Sequence, residues 1–244
     1  MTSSVTNKLS VVIASYRARG VDLGQKLVQS VVDHSDELVW VINSDEATAV
    51  TVRQESPKVI KIIRPNTGMN IGAWSEGLAH CDTDAHVLCL QDECELNRAD
   101  FAARYKQLLS RDDVGMVGES LNPKWARSWQ DMYASALNYQ VTISPSQQTT
   151  RVQYYLACMK SWGIQPGTSG SHLRALIWGF SAQARKSLSR LPIGGNKEQC
   201  IAAEIGTCKF IENNLGLKII QSDDLPFQFF SHTEWDVSGM GKRR

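Results

Sequence analysis

The chain has 244 residues, 42% of them hydrophobic and 21% charged, with a formal net charge of +1 at pH 7. This is ordinary globular composition with ample apolar material for a core, and it lacks the concentrated basic surplus expected of a nucleic-acid binder. No apolar run approaches the roughly 18–20 residues needed to span a bilayer. The opening MTSSVTNK lacks the plan of a signal peptide, and the six cysteines form no CxxC pair, so a cytoplasmic protein with reduced thiols and no zinc site is expected.

In chain order, short runs rich in apolar and β-branched residues predict strands buried on both faces at Leu9–Ser15, Glu37–Asn43, Val59–Arg64, Ala85–Gln91 and Val114–Glu119. Helical stretches are expected between them at Val21–Val32, Glu46–Gln54, Ile71–His80 and Ala99–Ser110. Strand and helix alternating at this rhythm predict βαβ units and an α/β fold with a mainly parallel sheet flanked by helices. After Glu119 the rhythm breaks. Trp125, Trp129 and Tyr133 recur at four-residue intervals, suggesting one helix face, and Ser144–Thr150 reads as a polar loop. Helices are expected at Arg151–Trp162, Ala182–Ser189 and Glu198–Asn214, with strands at Arg174–Phe180 and Leu217–Gln221. No repeat or long linker divides the chain. A single domain over 1–244 is expected, with a nucleotide-binding half over about 1–120, a substrate-shaping half over about 121–235 and a mobile tail over 236–244.

Ligands of an open parallel sheet bind beyond the carboxyl ends of its strands, so the residues following each strand are the candidates. Ser15, Tyr16 and Arg17 follow the first strand, a set that suits a base and a phosphate. Asn43 to Glu46 follow the second, as base contacts or as a helix cap. Asn66, Asn70 and Gly72 sit in a glycine- and asparagine-rich turn that leads into a helix and lets backbone approach a ligand closely. No Walker lysine follows, which disfavours P-loop chemistry. Gln91, Asp92 and Glu93 end an apolar strand, and clustered hard oxygen donors suit magnesium or manganese bridging phosphate oxygens. Glu198, near a helix start after Gly194 and Gly195, is either a base for an acceptor hydroxyl or a match to the helix dipole. His232 follows an aromatic run and is either a ligand or a structural histidine. The tryptophans could stack on sugar faces, although core packing is their commoner use.

Taken together these segments resemble the family-2 glycosyltransferases and their GT-A relatives, across roughly Leu9 to Trp235. SVVIASYRARG looks like the family's opening strand and nucleotide loop, NTGMNIGAWSEGL like the turn and helix before its metal motif, and LCLQDECEL like its apolar strand and aspartate-rich motif. RALIWGF looks like the acceptor-side strand, NKEQCIAAE like the acidic helix start bearing the base, and His232 like a late metal ligand. The resemblance implies a nucleoside-diphosphate sugar donor (UDP-, GDP- or dTDP-linked), a carbohydrate or glycolipid acceptor, and Mn2+ or Mg2+ held by Glu93, with Asp92 as the alternative, and by His232. It also implies Glu198 as base, with Glu204 as fallback, and direct displacement with inversion. The sequence departs from the family pattern at Gln91, which stands at the first acidic position of the metal motif, and at Asn43, where many relatives carry an aspartate. Lys197 replaces the first acid of the family's paired acidic residues. A nucleotidyltransferase and a catalytically silent sugar- or nucleotide-binding module are the rival expectations.

Overall fold

The computed structural model describes residues 8–144, 147–188, 191–233 and 235; the tail expected over 236–244 lies outside them. β1 (Leu9–Tyr16), α1 (Asp22–Val31) and β2 (Glu37–Ser44) form the first βαβ unit, with β1 and β2 parallel. β3 (Thr51–Ser56) and β4 (Val59–Pro65) form a hairpin whose turn contains Pro57, and α2 (Met69–Leu78) leads to β5 (His86–Gln91). Then follow β6 (Cys94–Leu96), α3 (Phe101–Leu109), β7 (Val114–Gly118), α4 (Trp129–Tyr133), the hairpin β8 (Gln140–Ser144) and β9 (Gln147–Thr150), and α5 (Arg151–Ser161). The chain closes with β10 (Ile177–Phe180), α6 (Ala182–Ser187), α7 (Lys197–Lys209), which runs on as a π-helical turn over Phe210–Asn214, β11 (Lys218–Gln221) and β12 (Phe230–His232).

The result is the expected α/β architecture. Its eight-stranded sheet runs in the order β11-β7-β10-β5-β1-β2-β4-β3, and only β10 and β3 pair antiparallel to their neighbours. Side chains alternate across each strand with period two. Val12 and Ala14 pack on one face with Trp74 of α2 and Ala203 of α7, while Val11 and Ile13 pack on the other with Leu27 of α1 and Phe101 of α3. A third cluster joins Trp125, Trp129, Tyr155 and Ile205 where α4, α5 and α7 meet. After β1 the chain moves outward through β2 and β4, then returns to place β5 on the other side of β1. The connections therefore diverge between the carboxyl ends of β1 and β5, which is where an open α/β sheet leaves a crevice.

Three expected elements differ. The polar loop over Ser144–Thr150 instead contains β9, paired antiparallel with β8. The helix over Glu46–Gln54 is instead a turn followed by edge strand β3, all of whose residues are exposed. With no buried face there is no apolar periodicity to read, and β-branched Thr51 and Val52 pair with β4. The aromatic helix face is reduced to the five-residue α4. Trp125 precedes that helix and is buried, Trp129 is buried within it, and Tyr133 is exposed.

Candidate active site

A cavity of about 400 Å³ opens at this crevice. Ser15 and Tyr16 from the end of β1, Asn43 from β2, Asn66 from the β4–α2 turn, Asn70 from the start of α2, and Gln91, Asp92 and Glu93 from the end of β5 all line it, as does His232. Nine of the eleven sequence-picked donor and metal residues therefore meet at one place. Arg17 sits exposed on a 3₁₀ turn, away from this cavity's walls. Gly72 packs instead within α2: a Cβ there would lie 2.0 Å from the Thr67 carbonyl oxygen. We expect Gly72→Ala to displace the start of α2 and lower stability by about 1–3 kcal/mol, read as a reduced Tm together with weaker nucleotide binding.

Several of these side chains hold the cavity's frame. The Trp40 indole donates to Ser15 Oγ at 2.9 Å. Asn43, only 3% exposed, donates from Nδ2 to the Met69 carbonyl at 2.9 Å and accepts from Arg64 Nη1 at 2.8 Å. Arg64 also donates to the carbonyl and hydroxyl of Thr67. At the rim, the Tyr16 hydroxyl and the Asn66 amide both donate to Asp45, and these two hydrogen bonds hold its carboxyl below the usual aspartate range.

At the end of β5, Gln91 Nε2 donates to the Ala175 carbonyl at 2.6 Å, which leaves its Oε1 to accept from His232 Nε2 at 3.2 Å. His232 Nε2 also lies 3.8 Å from a Glu93 oxygen. This carboxylate and imidazole are near enough to share one divalent ion. Among the described residues, however, no group of three or more His, Cys, Asp or Glu is arranged around a common point. The charge of the walls bears on the same question: among the described residues they include Asp92 and Glu93 and no lysine or arginine. Two carboxylates without a cation repel a diphosphate, so the donor set fits a phosphate ligand only with a cation between them.

A second cavity, of about 290 Å³, adjoins the first and shares Met69, Asn70, Gln91, Leu176 and Trp235 with it. Its far wall is one face of α7: Lys197, Cys200, Ile201 and Glu204, the i, i+3, i+4 and i+7 positions of a helix. Glu198 is one residue, about 100°, off that face and absent from the walls of both cavities. It accepts from the hydroxyls of Tyr155 and Tyr139 and pairs with Arg151 at 3.4 Å. Glu204 accepts the Ala175 backbone N–H at 2.9 Å. Burial raises its carboxyl to about 7, against the opposing pull of that N–H, Arg174 and Arg151. His172 lies 3.6 Å away, and its Nδ1 must donate to the Gly170 carbonyl at 2.7 Å. Burial pushes this imidazole down to about 3, so it stays neutral.

Sequence reading passed over Arg151, Arg174 and Trp235, and took Asp45 only as one of Asn43 to Glu46, base contacts or a helix cap. Those three come from segments with no strand-end or glycine signature and are brought in by tertiary packing.

No protein-family model matches this chain, and no curated protein does. Among solved structures it is similar to the mannosyltransferase PcManGT from Pyrobaculum calidifontis, in complex with GDP-Man and Mn2+. Identity is 16% over 89% of this chain and 55% of that one, with a TM-score of 0.48. It is also similar to glucosyl-3-phosphoglycerate synthase from Mycobacterium tuberculosis, in complex with Mn2+, UDP and phosphoglyceric acid, at 14% identity over 95% and 72% of the two chains and a TM-score of 0.48. A third is the galactosyltransferase LgtC with donor and acceptor sugar analogues, at 11% identity, coverage of 87% and 72%, and a TM-score of 0.37. The chain spans just over half the length of the first of these. Likeness at this level leaves the activity to rest on the chain's own geometry.

Proposed function

We propose that this chain is a GT-A-type glycosyltransferase that moves a sugar from a nucleoside-diphosphate donor to an acceptor hydroxyl. The observation that carries the reading is the pair of cavities with a common wall: one at the divergence of β1 and β5, where a nucleotide belongs, the other holding a carboxylate poised near neutrality. Residues 1–120 supply most of the donor walls and residues 121–235 most of the acceptor walls; Leu176, His232 and Trp235 reach the donor side, and Met69, Asn70, Ile71 and Gln91 the acceptor side.

Glu204 is the base this geometry favours over Glu198. An acceptor hydroxyl in the second cavity gives its proton to Glu204, and the oxygen attacks the anomeric carbon from the side opposite the diphosphate. The bond from that carbon to the diphosphate oxygen breaks, its electron pair leaves with the diphosphate, and the anomeric centre inverts. Glu93 and His232, with Asp92 as the alternative carboxylate, would hold Mn2+ or Mg2+, which when bound supplies positive charge against the departing diphosphate. Because His232 Nε2 faces Gln91 Oε1, ligation there requires this hydrogen bond to be given up and the ring proton to sit on Nδ1.

The test is thermal stability with UDP-, GDP-, dTDP- and CMP-sugars, each with Mn2+, with Mg2+ and with chelator. One nucleotide class is expected to stabilise the protein, by about 2.7 kcal/mol at one hundred times Kd, only when the metal is present. Glu93→Ala should shrink the shift. Failure of every nucleotide to shift the melting curve in any metal condition would remove the transferase reading.

A further inference from the structure

A third cavity, of about 510 Å³, lies against another face of α2 and shares no wall residue with the other two. Gly72, Ser75, Glu76 and Ala79, the i, i+3, i+4 and i+7 positions of that helix, form one wall. Arg185 and Lys186 of α6 line it as well, and so does Arg64 of β4. We infer that this cavity is a second binding site, for a small organic oxyanion, and that its occupant stiffens the donor cavity through Arg64. The site does not depend on the transferase reading.

Two buried guanidinium groups carry the inference. Arg64 is 6% exposed and Arg185 9%, and among the described residues neither has a carboxylate within salt-bridge distance. Arg185 donates to the carbonyls of Leu78 at 2.8 Å and Cys81 at 2.7 Å, and to that of Asp82. These carbonyls bear no net charge, so they fix the fork without neutralising it. Glu76, the one acid of the walls, lies 3.5 Å from His80 Nε2. Its pull on Arg64 does not make up for burial, which holds that guanidinium below its ordinary pKa. Lys186 is exposed, pairs with Asp84 at 2.7 Å and adds nothing to the balance. Two buried cations thus face a single carboxylate.

The Arg64 Nε–H is also buried without a hydrogen-bond partner, a state that folded proteins seldom leave unanswered. An oxyanion at this wall supplies both the missing acceptor and the missing charge. Leu78, Leu188 and Ile193 make the rest of the lining apolar, so the anion is carried on a small organic body. The remaining donors of Arg64 reach the other way. They hold Asn43 Oδ1 and the carbonyl and hydroxyl of Thr67, the bonds that frame the donor cavity. An occupant that meets Nε leaves those three bonds in place and removes the drive to swing a buried charge toward water. The turn between β4 and α2 is then held more firmly before any nucleotide arrives.

The experiment titrates the full chain, in chelator so that no metal serves the donor cavity, with phenyl phosphate, benzoate, orthophosphate and the neutral benzyl alcohol. Binding is read by ligand-detected NMR and thermal shift. Phenyl phosphate or benzoate should bind about tenfold or more tightly than benzyl alcohol, as one or two charge-assisted hydrogen bonds allow. Those two arms tell a phosphate from a carboxylate, and orthophosphate shows what the apolar body adds. Hydrogen exchange of the backbone over 66–72 should slow when the anion is bound. Ser75→Trp fills the cavity from a partly exposed position and should abolish both effects, as should Arg64→Gln, which removes the cation. The first variant keeps the test open if the second folds poorly. Anions that bind no tighter than benzyl alcohol, binding that survives both substitutions, or unchanged exchange over 66–72 overturns the proposal. Nucleotide binding is scored in parallel: anion binding without nucleotide binding sinks the transferase reading alone, and the converse sinks the second site alone.

Discussion

A Glu204→Gln protein is expected to transfer sugar about a hundred- to ten-thousand-fold more slowly than the parent chain, with nucleotide affinity little changed. The amide keeps the shape and can still accept the Ala175 N–H, but it cannot take a proton. In the parent chain the rate should climb as pH rises through about 7, because the base works only when ionised and its folded carboxyl titrates there. Stability should run the other way. A carboxyl whose folded value is raised from 4.5 to about 7 contributes fully below its unfolded value and loses that contribution as pH rises through the folded one. The glutamine variant, free of this penalty, should melt higher than the parent at pH 8.5, by the equivalent of about 2–3 kcal/mol, and match it near pH 4.5. Glu198→Gln should give neither signature. A rate loss confined to Glu198→Gln, with Glu204→Gln fully active, would return the base to the start of α7.

The largest expected loss of stability lies elsewhere, at Glu119. This residue is 1% exposed at the end of β7. Its Oε1 accepts from the Tyr105 hydroxyl at 2.8 Å and from Ser222 Oγ at 2.6 Å, and its Oε2 accepts from the Phe229 N–H at 3.0 Å. Burial raises its carboxyl while those three donors hold it down. Glu119→Ala leaves three donors facing a cavity closed to water, at about 1–3 kcal/mol for each group left unsatisfied. Part of that is returned by removing a buried acid. A net loss of about 3 kcal/mol corresponds to a Tm lower by roughly 6–12 °C for a chain of this size. Glutamine should cost less, since its carbonyl can serve Tyr105 and Ser222, but its amide nitrogen then faces the Phe229 N–H. A Tm within 1 °C of the parent in Glu119→Ala would show that water replaces the carboxylate. Phe229 leads directly into β12, so the same substitution should also loosen His232.

The parallel half of the fold was legible because its strands are buried on both faces. LSVVIAS, ELVWVIN and VIKIIR each appear as β1, β2 and β4 within a residue of their expected ends. β3 was not legible, since an exposed edge strand needs no apolar pattern, and neither were the three-residue β6 and β12, which exist only by pairing with each other. Ser15, Tyr16, Asn43, Asn66, Asn70 and Gln91 could be found because strand ends are marked by their strands. What those side chains do there was less visible: Ser15, Asn43 and Gln91 spend polar groups on Trp40, Arg64 and Ala175. At α7 the pattern NKEQCIAAE drew attention to the carboxylate nearest the helix start. The direction of each carboxylate depends instead on which face of α7 looks at the cavity, and that is set by the packing of α5, which no local signal encodes.

Ala175 is held from both sides. Its carbonyl takes the amides of Asn70 and Gln91 at 2.6 Å each, from the donor cavity, and its N–H is given to Glu204 in the other. A nucleotide that draws Asn70 or Gln91 toward itself must loosen or tighten the same short stretch of backbone that fixes the carboxylate. The two occupants are then in thermodynamic communication. Whatever factor the first imposes on the affinity of the second, the second must impose on the first, so the order in which they bind is free to vary while the product of their affinities is not.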